Sequence, residues 1–167
     1  SGLTTTGSTV IIGLDNAPPG ILIWRSILQW LGGVGIIVTA IAVLPLLQIG
    51  GMQLFRMESS ESSDKAMPRA AQIAGATAVI YLVLTLVCAA LLWGTGLGAF
   101  DAMAHAMTTV ATGGFSTRDA SVGGFANPGM EWIMIVFMVL GSLPFVLYLQ
   151  AVRGRPMALW RDTQVRW

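Results

Sequence analysis

The chain has 167 residues, of which 54% are hydrophobic and only 10% charged, and its mean hydropathy is +0.73. A soluble domain carries about a quarter charged residues, so this composition points to a membrane protein. The net charge of +1 gives no basic footprint for nucleic acid, and the single cysteine, Cys88, excludes an internal disulfide framework.

Read in chain order, the first feature is a polar, glycine-bearing stretch, Thr4-Thr5-Thr6-Gly7-Ser8-Thr9. The abrupt polar opening is expected of a piece of a longer protein. Trp30 to Ile49 then forms an apolar run without an ionisable residue. A spanning helix needs about 20 such residues. The connector Gly50 to Ala70 follows, with Arg56, Lys65 and Arg69, and with Glu58, Glu61 and Asp64 among four serines. Ile73 to Trp93 is a second uncharged run, and Trp132 to Leu149 a third. Three buried helices of a large soluble core are the other reading, but the polar connections are too short to wrap them.

Between the second and third runs, Gly94 to Gly98 breaks the pattern. Ala99 to Val110 then has a helix pattern too short to span, with Asp101 near its start, where a carboxylate favours the helix dipole. It leads into Ala111-Thr112-Gly113-Gly114-Phe115-Ser116. A short apolar helix returning through a glycine-bearing segment is expected to be a re-entrant pore loop, since non-helical backbone at membrane depth must line a cavity or be buried in protein. An ordinary outer loop with an interfacial helix is the alternative.

Basic residues set the orientation. Seven of the nine, in the connector and in the tail Arg153, Arg155, Arg161 and Arg166, fall on one side if each run crosses once. The positive-inside rule makes that side cytoplasmic. Only Arg25 and Arg118 remain opposite. Trp24, Trp30, Trp93 and Trp132 stand near run ends, as interfacial anchors do.

An internal repeat favours the pore-loop reading. With Gly7 aligned to Gly113, each copy continues in the same order through Pro-Gly (Pro19-Gly20, Pro128-Gly129), Trp (Trp24, Trp132), a glycine step (Gly32-Gly33, Gly141-Ser142) and Leu-Pro (Leu44-Pro45, Leu143-Pro144). In this register Ala111 stands opposite Thr5. Backbone carbonyls can replace the water of a bare cation, and glycine reaches the required backbone angles without steric cost. A preceding helix aims its partly negative C-terminal end at such a site. Neither segment holds Asp, Glu, Lys or Arg, which argues against selection by a charged ring.

These segments, together with Trp30-Leu31-Gly32-Gly33-Val34-Gly35, Gly50 to Arg56 with Glu58-Ser59-Ser60, and Arg161 to Trp167, resemble the TrkH branch of the Trk/Ktr/HKT superfamily of potassium transporters. The resemblance covers essentially the whole chain. It implies an all-α integral membrane fold built from outer helix–re-entrant pore loop–inner helix repeats of potassium-channel type. Residues 1–49 would be the end of the first pore loop and its inner helix. Residues 50–70 would be a cytoplasmic connector, 71–152 a complete second repeat, and 153–167 a cytoplasmic basic tail. It implies potassium bound at Thr5, Thr6, Gly7 and Ser8 of one filter strand and Ala111, Thr112, Gly113 and Gly114 of the other. It also implies a multi-pass protein in the bilayer of a bacterial inner membrane, a homodimer of the full-length protein, and a cytoplasmic TrkA-like nucleotide-binding ring. No catalytic residue, cofactor or nucleic-acid partner is expected. The resemblance further implies that a serine replacing a filter glycine goes with sodium transport. Gly7 and Gly113 are both glycine, which favours potassium over the sodium-selective alternative.

Other residues carry plainer expectations. His105 should pack or hydrogen-bond within its short helix, and Cys88 should fill space as a small apolar residue. Gly32, Gly33 and Gly35 should permit close helix approach. The serines of the connector read as a solvated segment or a docking surface, and Arg118-Asp119 as a local ion pair. An intramembrane enzyme is disfavoured, because the three runs hold no charge and the chain has one histidine and one cysteine. A purely structural membrane subunit would leave the duplicated loop without a role.

Overall fold

The computed structural model describes residues 1–47 and 63–152, together with position 165. All regular structure among them is helical. A 3-10 turn at Leu14–Asn16 precedes α1 (Pro19–Leu47). Then come α2 (Ser63–Gly94) and the short α3 (Ala99–Val110). A second 3-10 turn, Ser121–Phe125, leads to α4 (Pro128–Ser142) and α5 (Phe145–Val152). Residues 48–49, the part 50–62 of the expected connector, with Arg56, Glu58, Glu61, Ser59, Ser60 and Ser62, and the expected tail 153–167 apart from position 165, with Arg153, Arg155, Arg161 and Arg166, lie outside the described residues. α2 begins at Ser63, within the expected connector.

α1 begins before the expected first span. It starts at Pro19, whose fixed φ suits a first helical position, and so takes in Arg25 and Gln29. Leu22, Arg25, Ser26 and Gln29 are all buried, and their spacing makes them one stripe of the helix. The apolar run alone could not show this, because it begins only where the polar members of the stripe end.

The third run is not one helix. α4 stops at Ser142, and Leu143 turns to φ −70°, ψ 147° before Pro144. The residue before proline is pushed out of the helical region, and proline offers no N–H to continue the ladder. The same Leu-Pro pair at 44–45 lies within α1, whose backbone continues to Leu47. Among the described residues, Gln72–Gly94 is the one helix long and apolar enough to cross a membrane, with 23 residues and hydropathy 2.4. Pro128–Ser142 is apolar but shorter.

The chain divides into two compact units, one of Ser1–Val34 with Tyr81–Pro144 and the other of Gly35–Ile80 with Phe145–Trp167. In the first, α3 packs on α4, which presents Met130, Met134 and Phe137 inward at helical spacing. Asn127 caps α4 by accepting from the Met130 N–H at 3.2 Å, and its own amide donates to the Thr95 carbonyl at 3.1 Å. The outward faces of α2 and α4 are also apolar, with Leu82, Val83, Leu86, Trp93, Trp132 and Val136 exposed. Trp24, Trp93 and Trp132 are exposed, as anchors would be, but Trp30 is not one of them. Its indole donates to Thr85 Oγ1 at 2.9 Å and packs tilted against the Tyr81 ring, with centroids 5.4 Å apart, so Trp30 ties α1 to α2. Cys88 is fully buried in α2, as a small apolar filler would be. In the second unit, Thr77, Phe145 and Leu147 are buried, and the rings of Phe145 and Tyr148 lie 5.7 Å apart.

Candidate functional site

The two glycine-bearing segments share one backbone design. Thr5 has φ 54° and Thr112 has φ 52°. Each is a β-branched residue in the left-handed region, where such side chains are genuine outliers. Two residues later, Gly7 and Gly114 have φ 79° and 77°. The hydrogen bonds repeat as well. Thr5 N–H donates to the Gly2 carbonyl and Thr112 N–H to the Thr109 carbonyl, both at 2.9 Å. Thr6 N–H reaches Ser1 and Gly113 N–H reaches Thr108, at 3.1 and 2.9 Å. The structural register therefore pairs Thr5 with Thr112, Thr6 with Gly113, Gly7 with Gly114 and Ser8 with Phe115. It is one residue away from the register obtained by aligning Gly7 with Gly113. Ala111 faces Thr4, not Thr5, and both segments place a threonine at the first left-handed position. Counting glycines misled because the second segment has two in a row, and only the second of them has positive φ.

The helix that follows each segment supports it in the same way. A Cβ at Gly32 would strike the Leu3 carbonyl, and one at Gly141 the Val110 carbonyl. Leu3 and Val110 each stand two residues before the left-handed threonine. Gly33 lies against the Tyr81 hydroxyl of α2 and Ala111, whereas nothing described crowds Gly35; the close helix approach expected of all three glycines is seen at Gly33, and Gly32 approaches the Leu3 carbonyl instead.

The segments also touch. A Cβ on Gly7 would fall on the Gly113 carbonyl oxygen. Gln29 of α1, fully buried, donates to the same oxygen from its Nε2 at 2.9 Å. Gln29 Oε1 accepts from the Phe115 N–H at 3.1 Å. A Cβ at Gly113 would run into the Gln29 amide. One turn earlier on the same face, Arg25 donates to Thr9 Oγ1 at 2.7 Å and to the Ser116 carbonyl at 3.4 Å, with its guanidinium 4.2 Å from the Phe115 ring centroid. A buried charge needs such partners. Thr9 belongs to the first segment and Ser116 to the second, so Arg25 bridges them.

Beyond the second segment, the expected Arg118-Asp119 pair does not form. Arg118 turns to Asp15 at 3.4 Å and to Asp101 at 4.0 Å. Asp119 Oδ1 accepts from the N–H groups of Leu14 and Gly13 at 3.0 and 3.1 Å. The Leu14 N–H foremost, with those of Asp15 and Gly13, holds the Asp119 carboxyl below its ordinary range. Adjacent side chains here reach across to the first segment instead of to each other. His105 has the packing role expected of it: it is buried, 2.8 Å from the Asp101 carbonyl through Nδ1 and 3.0 Å from Ser116 Oγ through Nε2, with the Phe125 ring edge-on at 5.1 Å. Among the described residues no cluster of His, Cys, Asp or Glu has metal-binding form.

Comparison with known proteins matches residues 1–167 to the TrkH family model, described as a cation transport protein. The chain belongs to the TrkH family. It is 51% identical to the Trk system potassium uptake protein TrkI of Halomonas elongata, an alignment covering 99% of this chain and 34% of that protein. It is 46% identical to TrkH of Escherichia coli strain K12, over 99% and 35%. The crystal structure of the potassium transporter TrkH from Vibrio parahaemolyticus matches with TM-score 0.83 and 43% identity, over 99% and 33%. This TrkH-family chain thus spans about a third of the relatives it matches. The family is one of transporters, not enzymes.

Sequence reasoning had named Thr5, Thr6, Gly7, Ser8, Ala111, Thr112, Gly113 and Gly114, and the two segments that hold them lie against each other at Gly7 and Gly113. It had missed Gln29, Arg25 and the Asp119 contacts. The available signal was a lone arginine and a lone amide, four residues apart, in an otherwise apolar helix.

Proposed function

We propose that this chain forms part of the ion-conducting pore and selectivity filter of a Trk-type potassium uptake system in a bacterial inner membrane. The observation that carries the reading is the duplicated, strained backbone. Left-handed threonines at φ 54° and 52°, each followed by a left-handed glycine, persist in two touching segments. Such outliers survive only where surrounding structure holds them, and they cluster at functional sites. A potassium filter needs carbonyls held where ordinary strand geometry does not put them. Membership in the TrkH family and the potassium uptake named for its relatives support the same reading.

In this reading Thr5, Thr6, Gly7 and Ser8 with Ala111, Thr112, Gly113 and Gly114 contribute two of the filter segments. α3 is the pore helix, and its C-terminal end faces the cation. α1 and α2 cross the bilayer, and α4 with α5 forms a broken crossing. The full-length parent would be a multi-pass homodimer carrying a cytoplasmic TrkA-like ring. A sodium-selective pore is the second reading, and glycine at positions 7, 113 and 114 favours potassium.

The test is growth of potassium-uptake-deficient bacteria expressing the full-length parent with its cytoplasmic partner. Wild type should rescue growth at low potassium. Gly114→Ser, at the position the structure pairs with Gly7 and where a Cβ meets nothing within 4 Å, should at matched membrane level rescue less and admit more sodium in competition uptake. No rescue by a well-expressed wild type would reject the proposal.

A further inference from the structure

We infer that Gln29 is a specificity-determining positioning residue, one that sets the selectivity of the second segment from a helix belonging to the first. The inference rests on the pore reading above and names a residue which that reading does not.

The side-chain amide of Gln29 has a defined orientation. Gly113 O can only accept and Phe115 N–H can only donate, so Nε2 must face the first and Oε1 the second. Both contacts are buried, and the Gln29 side chain is sealed from solvent. Because the peptide unit is planar, holding the Gly113 carbonyl also orients the Gly114 N–H. That N–H is 3.5 Å from the Thr108 carbonyl at the end of α3. The peptide between Gly113 and Gly114 is thus held from two sides, by α1 and by α3. Its oxygen is in contact with both Gly7 and Gln29.

The consequence for a cation follows from that direction. An oxygen held by an amide N–H has less lone-pair density for an ion and cannot swing freely toward one. Gln29 therefore decides how the second segment shares its carbonyls between the protein wall and the conduction path. It also explains why position 113 is glycine while its counterpart in the first segment is Thr6, because a Cβ at 113 would occupy the space of the Gln29 amide. Gln29 touches no ion in this arrangement and acts through the Gly113 and Phe115 backbone.

The experiment uses the full-length parent with its cytoplasmic partner and reads rubidium uptake against increasing sodium. Gln29→Glu retains an acceptor for Phe115 but replaces the donor facing Gly113 by a carboxylate oxygen. Gln29→Met retains the volume and removes both contacts. The sodium concentration that halves uptake is independent of how much protein reaches the membrane, so it separates selectivity from folding. We expect both variants to lower that concentration about tenfold, the equivalent of one lost buried hydrogen bond, and Gln29→Glu at least as much as Gln29→Met. Active variants with the wild-type sodium dependence would overturn the inference. So would the loss of both variants from the membrane, since Gln29 would then be a folding residue. Absence of rubidium uptake by wild type would instead remove the pore reading itself.

Discussion

The two glycine-bearing segments have the same backbone and different support. Thr5 and Thr112, and Gly7 and Gly114, match within a few degrees of φ, and each segment lies against a glycine of the helix that follows it. Among the described residues, the second segment is gripped by side chains from the first copy, Gln29 and Arg25, and the left-handed glycine is crowded only in the first segment, by the Gly113 carbonyl. The difference teaches that the duplicated unit preserves a conformation, while the contacts between copies are asymmetric and specific to each position.

The largest effect should separate Gly7 from Gly114. Alanine at either position meets the left-handed penalty, about 1–2 kcal/mol. At Gly7 it also strikes a backbone oxygen, and overpacking raises the total to about 2–5 kcal/mol. Thermal unfolding of the detergent-purified full-length parent should show Gly7→Ala well below Gly114→Ala. Equal losses would mean that the segments do not touch at Gly7.

A smaller effect tests the shared part of the design. Gly32→Ala and Gly141→Ala each press a methyl group on a carbonyl, Leu3 or Val110, and should each cost about 1–3 kcal/mol. Gly35→Ala has open space and should be neutral or stabilising by up to about 1 kcal/mol, because alanine is the better helix former. A Gly35→Ala loss as large as that of Gly32→Ala would break the equivalence drawn between the two copies.

The smallest effect belongs to the exposed tie at Asp119. Its carboxyl is held below the ordinary range by the Leu14 N–H and its neighbours, so the folded pKa is depressed. The stabilisation is then fully present above the unfolded value, about 3.9, and is lost as pH falls through the folded one. Asp119→Ala should lower the unfolding midpoint slightly and by a constant amount from pH 6 to 8. The gap to wild type should close below about pH 4. A gap that widens on acidification would exclude the carboxylate as the acceptor for Gly13 and Leu14.

Much of the molecule was legible in composition and pattern. The uncharged run at Ile73 to Trp93 lies within α2, and the short pattern Ala99 to Val110 coincides with α3, because hydrophobic continuity and periodicity are local properties. The repeat was visible too, since proline, glycine and tryptophan mark turns and helix ends in a recognisable order. The identity of the glycine with positive φ was not, because Gly113 and Gly114 are the same letter. Nor was the fate of Leu-Pro, which lies inside α1 and breaks the helix after α4.

By itself the sequence determined that the chain is helical and poor in charge, that it carries two related glycine-bearing segments, and that it resembles the TrkH family. These follow from composition, short-range pattern and motif, which do not depend on where distant residues meet. Only the tertiary structure decided that Arg25 and Gln29 belong to a buried face, that Asp119 ties to Gly13 and Leu14, and that Gly7 lies on the Gly113 carbonyl. Those contacts join residues many tens of positions apart, and each is set by how helices and loops pack, which no local propensity encodes.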